Sequence, residues 1–186
     1  MTILNLPREI FLKPAWTTLA LVIPGPKEPS KLALNRVLAP LVDDLKILER
    51  GIFAQVASRG LQPVFMQTLL ATCDIPAMRK ITGATSHSAA RPCNHCTVTE
   101  DMLQREEGYR LQSKADLLTL LTVDFELYNA QICLNAAAKH RSARGAEQAR
   151  IVKEHSIRYS ELCRLVGFEH SKFAPPDSMH AMSLGE

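Results

Sequence analysis

The stretch "TLLATCDIPAMRKITGATSHSAARPCNHC", residues 68–96, contains the features on which a prediction of the fold depends. An apolar run ends at Asp74, a proline and a basic turn follow, and a Cys-x-x-Cys pair, Cys93 and Cys96, closes the stretch. Because proline is favoured in the first turn of a helix, "PAMRKITG" is predicted to be helical. The preceding "PVFMQTLLATCD", residues 63–74, is too continuously apolar for a solvated face and is predicted to be a buried strand.

A second apolar run, "TTLALVIPG" at residues 17–25, is also predicted to be a strand buried on both faces. Between the two runs the leucine spacing predicts a helix that begins after Ser30, is kinked or split at Pro40 and ends near Gly51. A helix between two strands is how parallel strands are joined, so Asp74 is expected at the carboxyl end of a parallel strand, where open α/β sheets gather their chemistry. A helix cap is an equally good interpretation of the same aspartate.

The second half of the chain is predicted to be largely helical. Residues 97–156 contain good helix formers and few breakers, apart from one basic bend at "KHRSARG", residues 139–145. The basic bend is interpreted first as a solvated helix end and second as a DNA contact. The predicted division of the chain is a strand–helix–strand part at residues 1–92 and a helical part at residues 93–186.

Composition limits the classes of protein that fit this chain. With 186 residues, 46% of them hydrophobic and 22% charged, it is predicted to be globular and to form one domain of ordinary size or a piece of a larger one. The net charge of +3 is only weak support for nucleic-acid binding. Five cysteines are an odd number and cannot all pair in disulfides within the chain. No apolar run approaches the roughly 20 residues of a membrane span. The expectation is an intracellular protein with reduced thiols and no membrane partner.

Cys93 and Cys96 have the spacing that lets two sulfurs bind one tetrahedral Zn²⁺ at about 2.3 Å. The pair supplies only half of a zinc site, so further ligands have to come from elsewhere in the chain. A redox role is the weaker alternative, and two unbound loop thiols remain a third. The candidates for the missing ligands are His87, His95, Asp177 and His180.

Five blocks together resemble the central region of fungal transposases of the CACTA (En/Spm-like) group. They occur in the same order over nearly the whole chain. The blocks are "NLPREIFLKP", "LVIPGPKEPSKLALNRVLAPLVDDL", "TCDIPAMRKITGATSHSAARPCNHC", "IVKEHSIRYSELCRL" and "PPDSMHAMSLG".

The resemblance implies a ribonuclease-H-like catalytic domain that cuts and joins DNA with three acids holding two Mg²⁺ ions. Asp74 would be the second acid. Cys93 and Cys96 would belong to a largely helical insertion, together with Asp177 and His180 as its Asp-x-x-His. The hypothesis that follows is a Zn²⁺ bound by the two cysteines and His180, with His87 or Asp177 as the fourth ligand. The fold expected is therefore α/β, a partial ribonuclease-H-like core with a helical insertion, in a nuclear protein with DNA as its partner.

The chain also departs from the pattern of that group. The first acid is expected upstream of residue 1 and the final glutamate downstream of "SLG", because Glu186 follows the Asp-x-x-His block too closely. With one acid of three, the chain is expected to be inactive alone, and whether it is an enzyme is left open. Self-association or a partner could supply what is missing, and no small-molecule substrate is expected. Two alternatives remain: a domesticated zinc-stabilised module that binds DNA or protein, and a decayed gene fragment without function.

Overall fold

The structure is a computed structural model that describes residues 1–10, 12–23, 25–86, 88–93, 95–101 and 127–175. These residues contain four α-helices and one two-stranded antiparallel sheet. The helices are α1 (Lys31–Arg50), α2 (Ile75–Thr82), α3 (Ala130–Ser142) and α4 (Gly145–His155), and the strands are β1 (Ile52–Val56) and β2 (Gly60–Val64). Short 3₁₀ turns lie at Pro14–Trp16, Ala57–Arg59 and Glu161–Arg164. No helix among the described residues is long and apolar enough to cross a membrane.

Helix α1 begins and ends where the sequence predicts. The Ser30 side chain accepts a hydrogen bond from the Ala33 N–H at 3.2 Å, which satisfies one of the free donors of the first turn. Gly51 ends the helix with a φ of 96°. Pro40 lies inside the helix, which continues through it as one element, so the helix is not split there, and the alternative of a kink stays a prediction.

The two predicted strands are corrected by the structure. Residues 17–23 form no strand: Thr17 makes a single bridge with Thr2, and Leu19 and Val22 are 80% and 71% exposed. A strand gains its hydrogen bonds from a neighbour. Met1 bonds the N–H and the carbonyl of Thr18, but no described segment pairs with residues 19–23.

The second predicted strand is largely replaced by an antiparallel hairpin. Strand β2 starts at Gly60 and ends at Val64, so residues 65–74 have no regular secondary structure. Ile52 pairs with Val64 and Val56 with Gly60. Only three residues connect the strands, and so short a connection can join antiparallel strands but not parallel ones. A parallel strand–helix–strand unit is therefore absent from the described residues, and the mixed α and β content is what the structure supports.

The core lies between α1 and the segment that follows α4. Buried apolar side chains of both elements form one cluster, made of Val42, Leu45, Leu162, Leu165, Phe168 and Phe173. A smaller cluster of Cys133, Ala137 and Ile157 attaches α3 to the same segment. The Asn35 side chain connects α1 to the segment that follows α4. It donates to the Tyr159 carbonyl and accepts from the Glu161 N–H, each at 3.1 Å. Elements from both halves of the chain thus pack together, while the predicted division at residue 92 stays a prediction.

Candidate functional site

Asp74 lies at the start of α2 rather than at the end of a strand. Its Oδ1 accepts a hydrogen bond from the Ala77 N–H at 2.8 Å, so the aspartate is the N-cap of the helix. The side chain is exposed. The predicted helix after Asp74 is confirmed, and so is the cap interpretation, whereas the predicted strand end is wrong because β2 stops at Val64. An exposed carboxylate at this position is still chemically able to bind a cation.

Cys93 and Cys96 form a compact turn, here called the thiol knuckle. The backbone N–H groups of His95 and Cys96 both donate to the Cys93 Sγ, at 3.3 and 3.4 Å. Both thiols are half-buried and free of disulfides. Burial raises the pKa of the Cys96 thiol, and the neighbouring Cys93 raises it further. N–H donors directed at a sulfur stabilise its charged form, which is the form that binds metals.

The knuckle is the part of the hypothesised zinc site that the structure describes. His87, Asp177 and His180 lie outside the described residues, so the predicted four-ligand set is not seen as a whole. Within the described ranges, no group of three or more His, Cys, Asp or Glu side chains could hold a metal ion. His95, the ligand candidate inside the turn, contributes its backbone instead: its N–H reaches the Cys93 sulfur and its carbonyl accepts from the Tyr128 N–H at 3.1 Å.

Arg79 connects α2 to the knuckle. Its guanidinium donates to the Thr85 carbonyl at 2.9 Å through Nη1 and to the Pro92 carbonyl through Nη2. Its buried Nε has no hydrogen-bond partner among the described residues. Burial lowers the pKa of Arg79, and the nearby Cys93 acts in the opposite direction. The sequence does not single out this residue, because nothing in "MRKITG" distinguishes a half-buried arginine from the lysine beside it.

Gly83 closes the other end of α2 in a left-handed conformation, with a φ of 92°. Its carbonyl accepts from the Arg158 N–H at 2.8 Å, and the Thr85 N–H donates to the Ser156 carbonyl at 3.1 Å. A β-carbon on Gly83 would stand 2.3 Å from the Arg158 carbonyl oxygen, closer than real atoms approach. Glycine is therefore required where the end of α2 lies against the segment after α4.

A cluster of basic side chains surrounds the same junction. The Lys31 Nζ is buried and has no hydrogen-bond partner in the described part of the chain. Burial lowers the pKa of Lys31 to about 7, and the charge of Arg158 lowers it further. Burial likewise lowers the pKa of His170 to about 4, with Lys31 acting in the same sense. This cluster destabilises the fold in its charged form, and no pattern in the sequence predicts it.

The predicted basic bend is the turn between α3 and α4. The segment 130–158 contains six Lys and Arg against two Glu, so it carries the basic excess of the chain. Arg141, Arg144 and Arg150 differ in the groups that contact their guanidinium groups. Arg150 is held between Glu147 at 2.8 Å and Glu154 at 3.2 Å. Arg141 lies 4.6 Å over the Tyr159 ring, and Arg144 donates to two backbone carbonyls of the turn. Neither guanidinium forms an ion pair with an acid among the described residues.

The chain was compared with known proteins and families. The model of the transposase family tnp2 matches residues 1–113, which include α1, the hairpin, Asp74 with α2, and the thiol knuckle. No curated protein and no solved structure matches the chain.

Proposed function

The chain belongs to the transposase family tnp2, and on this premise we propose that it is part of the catalytic region of a DNA transposase of the CACTA (En/Spm-like) group. Asp74 would be one of the acids that cleave and join DNA. A ribonuclease-H-like core belongs to the same proposal, with its remaining strands supplied by chain outside the residues described above. The observation that carries the proposal is an exposed carboxylate inside the matched region, fixed at the N-terminus of a helix.

The chemistry assigned to Asp74 depends on Mg²⁺. Mg²⁺ prefers carboxylate oxygens, and two such ions bound about 3.5–4 Å apart stabilise both the attacking and the leaving oxygen of a phosphoryl displacement. Since Asp74 uses Oδ1 to cap α2, its second oxygen would contact a cation. One carboxylate cannot hold two cations, so further acids, from this chain or from another, would complete the site. The same requirement supports self-association, and a nuclear location is part of the same proposal.

A nicking assay tests the role of Asp74. Asp74→Asn keeps an N-cap residue while removing the charge that a cation needs, because asparagine caps helices about as well as aspartate. Ser30→Ala, which removes a cap far from the proposed chemistry, is the matched control. In an assembly that supplies the other acids, we expect Mg²⁺-dependent nicking of supercoiled DNA to be abolished by Asp74→Asn and kept by Ser30→Ala. Equal nicking by the wild type and Asp74→Asn would remove Asp74 from the mechanism.

The thiol knuckle favours a second candidate, a zinc-stabilised module that binds DNA or protein without catalysis. Two N–H donors on one sulfur suit a bound thiolate. Cys93 and Cys96 would hold the Zn²⁺ together with His180 and either His87 or Asp177. Bound zinc would supply a structural crosslink between the knuckle and the C-terminal segment, and structural zinc contributes on the order of 10 kcal/mol to folding.

Metal analysis and chelation test the zinc hypothesis. We expect the purified protein to contain one zinc per chain and a chelator to reduce its far-ultraviolet circular dichroism. Cys93→Ser should have the same effect, whereas Cys73→Ser, at an unrelated half-buried thiol, should not. Protein without zinc, whose two knuckle thiols react freely with an alkylating reagent, would rule the hypothesis out.

DNA contact is proposed for the turn between α3 and α4. Arginines that neutralise DNA phosphates release counterions. Each lost contact therefore weakens binding and reduces the slope of log K against log salt concentration by about one. We expect Arg144→Ala to do this and Arg150→Ala to do it much less, because Arg150 is already paired with Glu147 and Glu154. Binding titrations from low to high salt measure both effects, and equal losses in the two variants would contradict the assignment.

A further inference from the structure

We propose that Arg79 is a positioning residue that fixes the thiol knuckle to helix α2, so that the helix capped by Asp74 and the Cys93–Cys96 pair form one rigid unit. The proposal depends on hydrogen-bond geometry and holds whether or not a metal binds.

The segment before the knuckle has little regular structure of its own. Residues 88–92 form no helix or strand, and they connect α2 to the knuckle across the surface. Pro92, whose carbonyl accepts from Arg79 Nη2, directly precedes Cys93. A loop without regular secondary structure is held in place mainly by the hydrogen bonds that attach it to the rest of the protein. An anchor one residue from the first sulfur therefore controls where that sulfur lies.

The guanidinium makes two contacts that a simpler cation cannot reproduce. Nη1 reaches the Thr85 carbonyl, just after the end of α2, while Nη2 reaches the Pro92 carbonyl. The two acceptors belong to different segments, so the planar fork of the arginine joins them. Lysine keeps the charge and most of the stem, but it concentrates its donors at one point and lacks the fork.

The segments that contain the two acceptors are themselves bonded to other parts of the protein. The Thr85 N–H donates to the Ser156 carbonyl, and Ala84 pairs with Ile157, so the first acceptor is attached to the segment after α4. On the other side, Cys96 pairs with Leu127 and the His95 carbonyl accepts from Tyr128, which attach the far end of the knuckle to the start of α3. On the side of the first cysteine, the Ala90 carbonyl accepts from the Glu100 N–H at 3.0 Å, and Arg79 supplies the attachment nearest to Cys93.

Site-resolved alkylation of the full chain as purified tests the proposal. Arg79→Lys is compared with Arg59→Lys, an exposed arginine in the hairpin turn, and each cysteine is followed by mass spectrometry. Charge-assisted hydrogen bonds are among the stronger ones, so we expect the rates at Cys93 and Cys96 to rise by about 10- to 100-fold in Arg79→Lys. Cys133 and the control variant should be unchanged. Unchanged rates at the knuckle, or an equal rise at every cysteine, would overturn the proposal.

Hydrogen exchange of the wild-type protein provides a second test that needs no variant to fold. If Arg79 joins the helix and the knuckle, the amides of His95 and Cys96 become exposed in the same opening reaction as those of α2. Their exchange rates should then depend on denaturant concentration in the same way. Exchange of the knuckle amides in a separate, easier opening would overturn the proposal.

A Co²⁺ titration separates this proposal from the zinc hypothesis. If the wild type binds Co²⁺ with the absorption of thiolate ligands, Arg79→Lys should weaken binding by about 10- to 100-fold, as loss of a supporting residue does at metal sites. Co²⁺ binding that is equally tight in both proteins would overturn the positioning role. If the wild type binds no Co²⁺ while its alkylation pattern is as expected, the zinc hypothesis fails and the role of Arg79 is supported.

Discussion

Gly83→Ala is the substitution whose cost the structure defines best. A non-glycine residue at a left-handed φ costs about 1–2 kcal/mol. The added β-carbon would also lie 2.3 Å from the Arg158 carbonyl oxygen, so the backbone has to move. That movement weakens the Arg158–Gly83 and Thr85–Ser156 hydrogen bonds, each worth about 0.5–1.5 kcal/mol. The free energy of unfolding should therefore fall by about 2–4 kcal/mol.

Gly145→Ala is the matched control for this substitution. Gly145 also has a positive φ, 54°, but nothing lies within 4 Å of the β-carbon that alanine would add. Its cost should be limited to the backbone conformation, about 1–2 kcal/mol. Equilibrium urea unfolding followed by far-ultraviolet circular dichroism measures both variants. A loss in Gly83→Ala no larger than that in Gly145→Ala would refute the close approach between the end of α2 and Arg158.

The other predictions concern charges and a cap. Asp74→Ala should lower the free energy of unfolding by about 1 kcal/mol, and Asp74→Asn by only a few tenths, as urea unfolding would show; equal losses would contradict the cap. Lys31→Met should raise the free energy of unfolding at pH 7 by about 1–3 kcal/mol, because it removes a buried ammonium without a partner. Since the folded pKa of Lys31, about 7, lies below its unfolded value of 10.5, wild-type stability should increase from pH 7 towards pH 10, and Lys31→Met should lose that increase. His170, with a folded pKa of about 4, should destabilise the protein as the pH falls from about 6.5 to 4, and His170→Asn should flatten that part of the profile.

The sequence by itself determined the parts of this protein that depend on neighbouring residues. Helix α1, its Ser30 cap and its end at Gly51 follow from leucine spacing and from the special backbone of one glycine. The helix after Asp74 and the turn between the last two helices were predicted for the same reason. Local hydrogen bonds and local conformational preferences decide such features, and both can be read from a few consecutive residues.

Only the tertiary structure decided the features that need a distant partner. Two apolar runs predicted to be parallel strands contain just part of one antiparallel hairpin, because an apolar pattern states that a segment can be buried but not what will pair with it. The bridging role of Arg79, the glycine required beside Arg158, and the unpaired ammonium of Lys31 arise where segments far apart in the chain meet. Their physical cause is contact between segments that the order of residues does not specify.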